Sequence, residues 1–212
     1  MPGEAGLLMC TFPRADWNYG KAKGKGAEWA AGYFNECMNG FEYQAAGHMI
    51  WEGLVQEGLA VTRAVHDRYD AARRNPWNEI ECGDHYARSM ASYGVFLAAC
   101  GFEYHGPQGH IAFAPRLTPE NFKAAFTSAE GWGTFRQEIS DKGQKAEIEL
   151  KRGALKVRTL ALATQKKPRS VTVAVAGRKI VSEQRILDGR LLITLSEPVR
   201  LQAGEKISVV IS

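Results

Sequence analysis

The stretch AEIELKRG, Ala146–Gly153, decides how the second part of the chain is read. Ala146, Ile148 and Leu150 alternate with Glu147 and Glu149, so successive side chains face opposite ways, as in a strand with one buried face. Lys151-Arg152-Gly153 then reads as a hairpin turn. Downstream, Val171–Val175 and Ile207–Ile211 keep the same period of two, and Leu187-Asp188-Gly189-Arg190 carries the Asp-Gly pair of a tight hairpin. The pattern predicts a small antiparallel sheet or sandwich of about six strands over residues 145–212.

Composition changes on the way upstream. Phe135 is the last aromatic residue, and basic residues recur from Lys142 to Lys206, whereas all five Trp and all seven Tyr precede that point. Two segments of different character are therefore expected to meet near residues 136–145. In the first, Tyr43, Ala46, Ile50, Leu54, Val61 and Val65 recur at helical spacings over about 41–69. A second helix is expected over 83–100, with Gly101 at its C-terminal cap and Tyr86, Met90, Tyr93 and Leu97 on one face. Thr118-Pro119-Glu120 has the composition of a capped third helix start, and Leu7–Phe12 that of a short strand. The run Gly20–Gly26 reads as a loop.

Whole-chain quantities narrow the function classes. With 212 residues, 45% of them hydrophobic and 24% charged, the chain is of the globular class. The net charge of +4 is too balanced to indicate nucleic acid by itself. Four scattered cysteines without a Cys-x-x-Cys pair argue against a disulfide frame or a cysteine zinc site, and a reduced, cytoplasmic setting is expected. No apolar run approaches the roughly 20 residues of a membrane helix. Phosphate-loop, dinucleotide, serine-elbow and His-Glu-x-x-His motifs are absent. No cofactor or metal is expected. His105 and His110 flank a Gly-Pro-Gln-Gly turn and lack a third ligand at metal spacing.

The densest polar cluster is NPWNEIECGDHYAR, Asn75–Arg88, at the start of the second expected helix. Glu79 and Glu81 would share one face of an extended segment, and Asp84 and Arg88 stand one helical turn apart. A carboxylate and an arginine there can serve sugar hydroxyls, or simply neutralise a helix terminus as a surface pair. Trp17, Trp29, Trp51, Trp77 and Trp132 suit either sugar stacking or core packing.

NPWNEIECGDHYARSMASYG (Asn75–Gly94), CGFEYHGPQGHIAFAPRLTPENFKAAFTSAEGWGTF (Cys100–Phe135) and NECMNGFEYQAAGHMIWEGL (Asn35–Leu54) resemble, in order, the C-terminal part of the glycoside hydrolase family 116 catalytic region. That family contains non-lysosomal glucosylceramidases and bacterial β-glucosidases. The resemblance covers about residues 5–136 and implies an incomplete (α/α)6-toroid helical segment over residues 1–137; with the small antiparallel β domain that the alternating pattern predicts over residues 145–212, beyond the matched part, the expected class is α+β. It implies a retaining β-glucosidase fragment acting on a β-glucoside or glucosylated lipid. The family's nucleophile and acid/base precede the matched blocks, so no catalytic residue carries over and the chain alone is expected to be inactive, with an N-terminal complementing chain or self-association in prospect. Glu79, Arg88 and Glu36 match the family's sugar-binding residues, and Met38 stands where the family commonly has tryptophan. The alternatives are a non-catalytic carbohydrate-binding or interaction module and, from the basic residues after 142, a binder of anionic polymers.

Overall fold

The computed structural model describes residues 5–8, 37–69, 88–164 and 167–212. The chain divides into two units, Met1–Ala98 and Ala99–Ser212.

Among the described residues the first unit holds the helices α1 (Asn39–Trp51) and α2 (Val55–Arg68), then a 3-10 turn (Arg88–Ala91) leading into α3 (Ser92–Cys100). The single helical face expected over 41–69 is thus two helices. The chain breaks at Glu52–Leu54, where Gly53 takes φ +90°, a conformation a side chain rarely tolerates. Ala46, Ile50, Val95 and Ala98 form a small core, with Tyr43, Trp51, Leu59 and Val61 packed against it. Gly47 and Gly58 allow close approach. A Cβ on Gly58 would stand 2.6 Å from the Ala46 carbonyl oxygen, and one on Gly47 3.4 Å from the Gly94 oxygen.

Among its described residues the second unit contains ten strands: β1 (Glu103–His105), β2 (His110–Phe113), β3 (Asn121–Thr127), β4 (Gly131–Ser140), β5 (Gly143–Ala163), β6 (Val171–Val175), β7 (Arg178–Ile180), β8 (Ser182–Leu187), β9 (Arg190–Gln202) and β10 (Lys206–Ile211). The 21-residue β5 organises them. Its first half pairs antiparallel with β4 and β10; its second half pairs antiparallel with β9 and parallel with β2. Two sheets, β3-β4-β5-β10-β6-β7 and β1-β2-β5-β9-β8, therefore share one strand. Their inner faces meet in one core, where Phe113 from β2 stacks on Phe135 from β4 with ring centroids 3.9 Å apart and planes 2° apart.

These observations correct the expected fold. The described helices are short, 9 to 14 residues, and the bulk of the structure is a large mixed sheet assembly, so the incomplete (α/α)6-toroid segment with a small antiparallel appendage does not describe it. Lys151-Arg152-Gly153 is no hairpin turn either. The chain runs straight on, Gly153 takes φ +78°, and the buried set shifts phase from Gln144, Ala146, Ile148, Leu150 to Leu155, Val157. A bulge in β5 at Lys151, opposite Trp132 and Gly133 of β4, absorbs the one extra residue where β5 passes from one sheet to the other. The helix expected from Thr118 is β3 instead, because Phe122, Ala124 and Phe126 alternate with exposed neighbours; Thr118 accepts a turn hydrogen bond from Asn121 at φ +40°. The hairpin at Leu187–Arg190 is as read, with Asp188 at φ +49° and Gly189 at +74°, the type I′ geometry. Residues 5–8 carry no strand, and the remainder of the expected Leu7–Phe12 strand and the Gly20–Gly26 loop lie outside the described residues. No described helix is long and apolar enough to cross a membrane.

Candidate functional site

Of the three residues expected to bind sugar, Glu36 and Glu79 lie outside the described residues, as do Glu81 and Asp84. Arg88 opens the 3-10 turn that delivers the chain into α3. Met38, the position where tryptophan was of interest, is the N-terminal cap residue of α1 and is buried.

The polar geometry that the first unit does display sits just after Glu36. Arg68, in the last turn of α2, donates from Nη1 to Glu42 Oε1 at 2.9 Å and from Nη2 to Glu42 Oε2, a two-pronged ion pair from which water is excluded. The same guanidinium donates to the carbonyl of Ala5 at 3.0 Å and to that of Cys37 at 3.5 Å, while the amide of Leu7 donates to Glu42 Oε1 at 2.8 Å. Asn39 Nδ2 donates to the Tyr69 hydroxyl at 3.3 Å. Burial alone would lower the Arg68 pKa, but the hydrogen bond and charge of Glu42 outweigh it and hold the guanidinium above its ordinary range. Asn39 Oδ1 and Arg68 Nε are buried and have no hydrogen-bond partner among the described residues. Beside this cluster lies a cleft of about 450 Å³ walled by Leu7, Met38, Phe41, Glu42 and His48.

Neither Glu42 nor Arg68 was among the expected site residues. A signal did exist: Asn39, Glu42, Ala46 and Ile50 are spaced to share one helix face, so a carboxylate lay on the apolar stripe and required a cation.

In the second unit the histidines serve the β1–β2 hairpin. His105 and His110 are opposite each other in register; His105 Nδ1 accepts the Gln108 amide at 3.3 Å, and His110 Nδ1 is 2.8 Å from Thr159 Oγ1. Burial lowers the His110 pKa, with Arg190 and His105 adding to the effect and Glu103 opposing it. Cys100 is buried and its thiol is pushed up to about 11, which leaves it unreactive at neutral pH. A larger cleft, about 620 Å³, opens between Glu120, Lys142, Gln144, Lys167 and Arg169 and contains no residue expected from the sequence to bind sugar. Several of the cations that enrich this part of the chain are paired on the surface: Lys206 with Glu147, Lys151 with Glu149, Arg136 with Glu138, Arg200 with Glu130 and Arg190 with Glu103. Trp132 is about half exposed on β4. Among the described residues no group of three or more His, Cys, Asp or Glu is disposed to hold a metal.

No protein-family model matches the chain, and no curated protein matches it. Among solved structures it is similar to a glycoside hydrolase family 127 β-L-arabinofuranosidase from Geobacillus stearothermophilus, at 16% identity and TM-score 0.36 over 59% of this chain and 18% of that one. An α-L-rhamnosidase from Dictyoglumus thermophilum gives 12% identity and TM-score 0.35 over 61% of this chain and 14% of its own. A third structure, described as a glycoside hydrolase, gives 14% identity and TM-score 0.35 over 66% of this chain and 22% of its own. The chain thus spans less than a quarter of the length of each of these structures.

Proposed function

We propose that the chain supplies the sugar-recognition side of a retaining β-glucosidase of the glucosylceramidase type, with Glu79 and Arg88 holding glucose hydroxyls and Glu36 joining them. The observation that carries this reading is the order of three separate blocks, Asn35–Leu54, Asn75–Gly94 and Cys100–Phe135, which resemble one glycosidase region in sequence. A carboxylate that accepts and a guanidinium that donates in a planar fork are what vicinal hydroxyls require. The Glu42–Arg68 pair supports the reading, since its bond to the Cys37 carbonyl fixes the backbone next to Glu36. Retaining hydrolysis needs two carboxylates about 5–5.5 Å apart across the glycosidic bond, and the matched blocks supply neither. A complementing N-terminal segment must bring them.

The test is calorimetric titration of the chain with an alkyl β-glucoside, alongside an aryl β-glucoside turnover assay. Binding without turnover is expected, and Arg88→Ala should weaken it at least about tenfold through loss of charge-assisted donors. Absence of binding, or an affinity untouched by Arg88→Ala, overturns the reading. Turnover abolished by one Glu or Asp substitution within residues 1–137 would show that the catalytic pair lies in this chain.

The second reading, a non-catalytic carbohydrate-binding module, is favoured by the continuous core that the β unit possesses by itself. The two part on one measurement: mixing with the N-terminal remainder of such an enzyme restores turnover only under the first.

A further inference from the structure

The strand β8 forms one margin of its sheet, pairing with β9 and, among the described residues, with nothing else. Sheet margins are ordinarily protected by shortness, proline, bulges or like charges that repel a second copy. The margin β7, three residues long with Arg178 and Lys179, follows that rule. β8 does not. It has six residues, no proline and no bulge, Glu183–Leu187 are all exposed, and the adjoining Val181 is 77% exposed.

The hairpin geometry fixes which backbone groups of β8 are available. In a two-residue type I′ hairpin the closing residues, here Leu187 and Arg190, exchange both hydrogen bonds, so Leu187, Arg185 and Glu183 direct their N–H and C=O groups toward β9. Ser182, Gln184 and Ile186 direct theirs outward. The Gln184 side chain agrees with this phase, because its amide Nε2 donates to the Ser182 carbonyl at 2.7 Å.

We propose that β8 pairs antiparallel with the β8 of a second copy, centred on Gln184, joining two sheets into one continuous sheet. In that register Glu183 lies opposite Arg185 of the other copy, and Arg185 opposite its Glu183, so the two-fold creates two ion pairs from residues that have none among the described residues. Val181 faces Leu187 of the other copy on the same side, and both are exposed in the single chain. Ser182 faces Ile186, and Gln184 faces itself; pairing exchanges the Gln184 side-chain bond to the Ser182 carbonyl for one from the Ile186 amide of the other copy. A shift of the centre by one residue to Glu183 or Arg185 would set like charges against each other, so the charge pattern selects Gln184.

Sedimentation velocity of the full chain from about 5 to 500 μM is the experiment, a range that brackets a dimer of modest interface. A concentration-dependent dimer is expected. Arg185→Glu should weaken it at least about tenfold, and the double change Glu183→Arg with Arg185→Glu should return it to within about threefold, since the ion pairs are re-formed in reverse. Gln184→Pro, which removes an outward N–H and leaves the β9 ladder intact, should abolish the dimer with an unchanged far-ultraviolet spectrum. A monomer throughout, a dimer insensitive to Arg185→Glu and Gln184→Pro, or failure of the double change to restore association overturns the proposal.

Discussion

The two units are held together by opposite means. The β unit rests on an almost wholly apolar core in which Phe113, Phe126 and Phe135 are packed between aliphatic strands. Among the described residues the helical unit has a core cluster of only four buried apolar residues, Ala46, Ile50, Val95 and Ala98, and it also buries a carboxylate and a guanidinium. An apolar core tolerates change in proportion to the volume removed, whereas a buried ion pair is all or nothing: losing one partner strands the other in a medium that cannot solvate it. The first unit is therefore specified more sharply than it is stabilised.

The largest effect that would test this contrast comes from Phe135→Ala. Removing a fully buried ring stacked on Phe113 should cost up to about 5 kcal/mol, read as loss of hydrogen-exchange protection across β2, β4 and β5. Equal loss of protection in α1 and α2 would break the contrast, because the units would then open together. Arg68→Met should cost about 3 kcal/mol, seen in the amides of α1 and α2, by leaving Glu42 buried without its cation. Adding Glu42→Leu to that variant should recover most or all of the loss; a double variant no better than Arg68→Met would mean that packing, and not charge, had been lost. The smallest effect concerns pH. The hydrogen bond from Lys206 holds the Glu147 carboxyl below its ordinary value of 4.5. A depressed carboxylate contributes stability that is present above 4.5 and fades as pH falls through the lowered folded-state value, so Glu147→Gln should slightly lower the stability of the β unit at neutral pH, flatten its decline below pH 4.5 and change nothing once the carboxyl is protonated. A steeper acid profile in the variant would contradict the sign.

How much of this was legible in the sequence depended on whether a local period survived intact. Val171–Val175, Ile207–Ile211 and the Asp188-Gly189 turn hold one phase from end to end, and they are strands and a hairpin as read. β5 slips phase at Lys151–Ala154 and again between Val157 and Thr159, and a slip bordered by Lys, Arg and Gly is locally identical to a turn. Thr118-Pro119-Glu120 has a helix-start composition, but Phe122 and Phe126 find a sheet core that outweighs it. At the candidate site the sequence places Arg88 one turn inside a helix that starts near Gly83, whereas the structure has it at the first position of a 3-10 turn, and Glu36 and Glu79 lie outside the described residues. Glu42 and Arg68 went unread because their partnership spans 26 residues, and no local pattern records a contact across such a distance.

The sharing of β5 between both sheets has a consequence for how the chain is made. Its first half needs β10, whose Ile207 and Val209 pair with Ile148 and Ala146, and β10 is translated about sixty residues later. At synthesis rates of about 5–20 residues per second, the nascent strand waits for seconds with one side open while β6 to β9 emerge. Lys145, Glu147, Glu149 and Lys151 stand between the apolar residues of that segment, and charges interspersed in this way disfavour pairing between exposed strands.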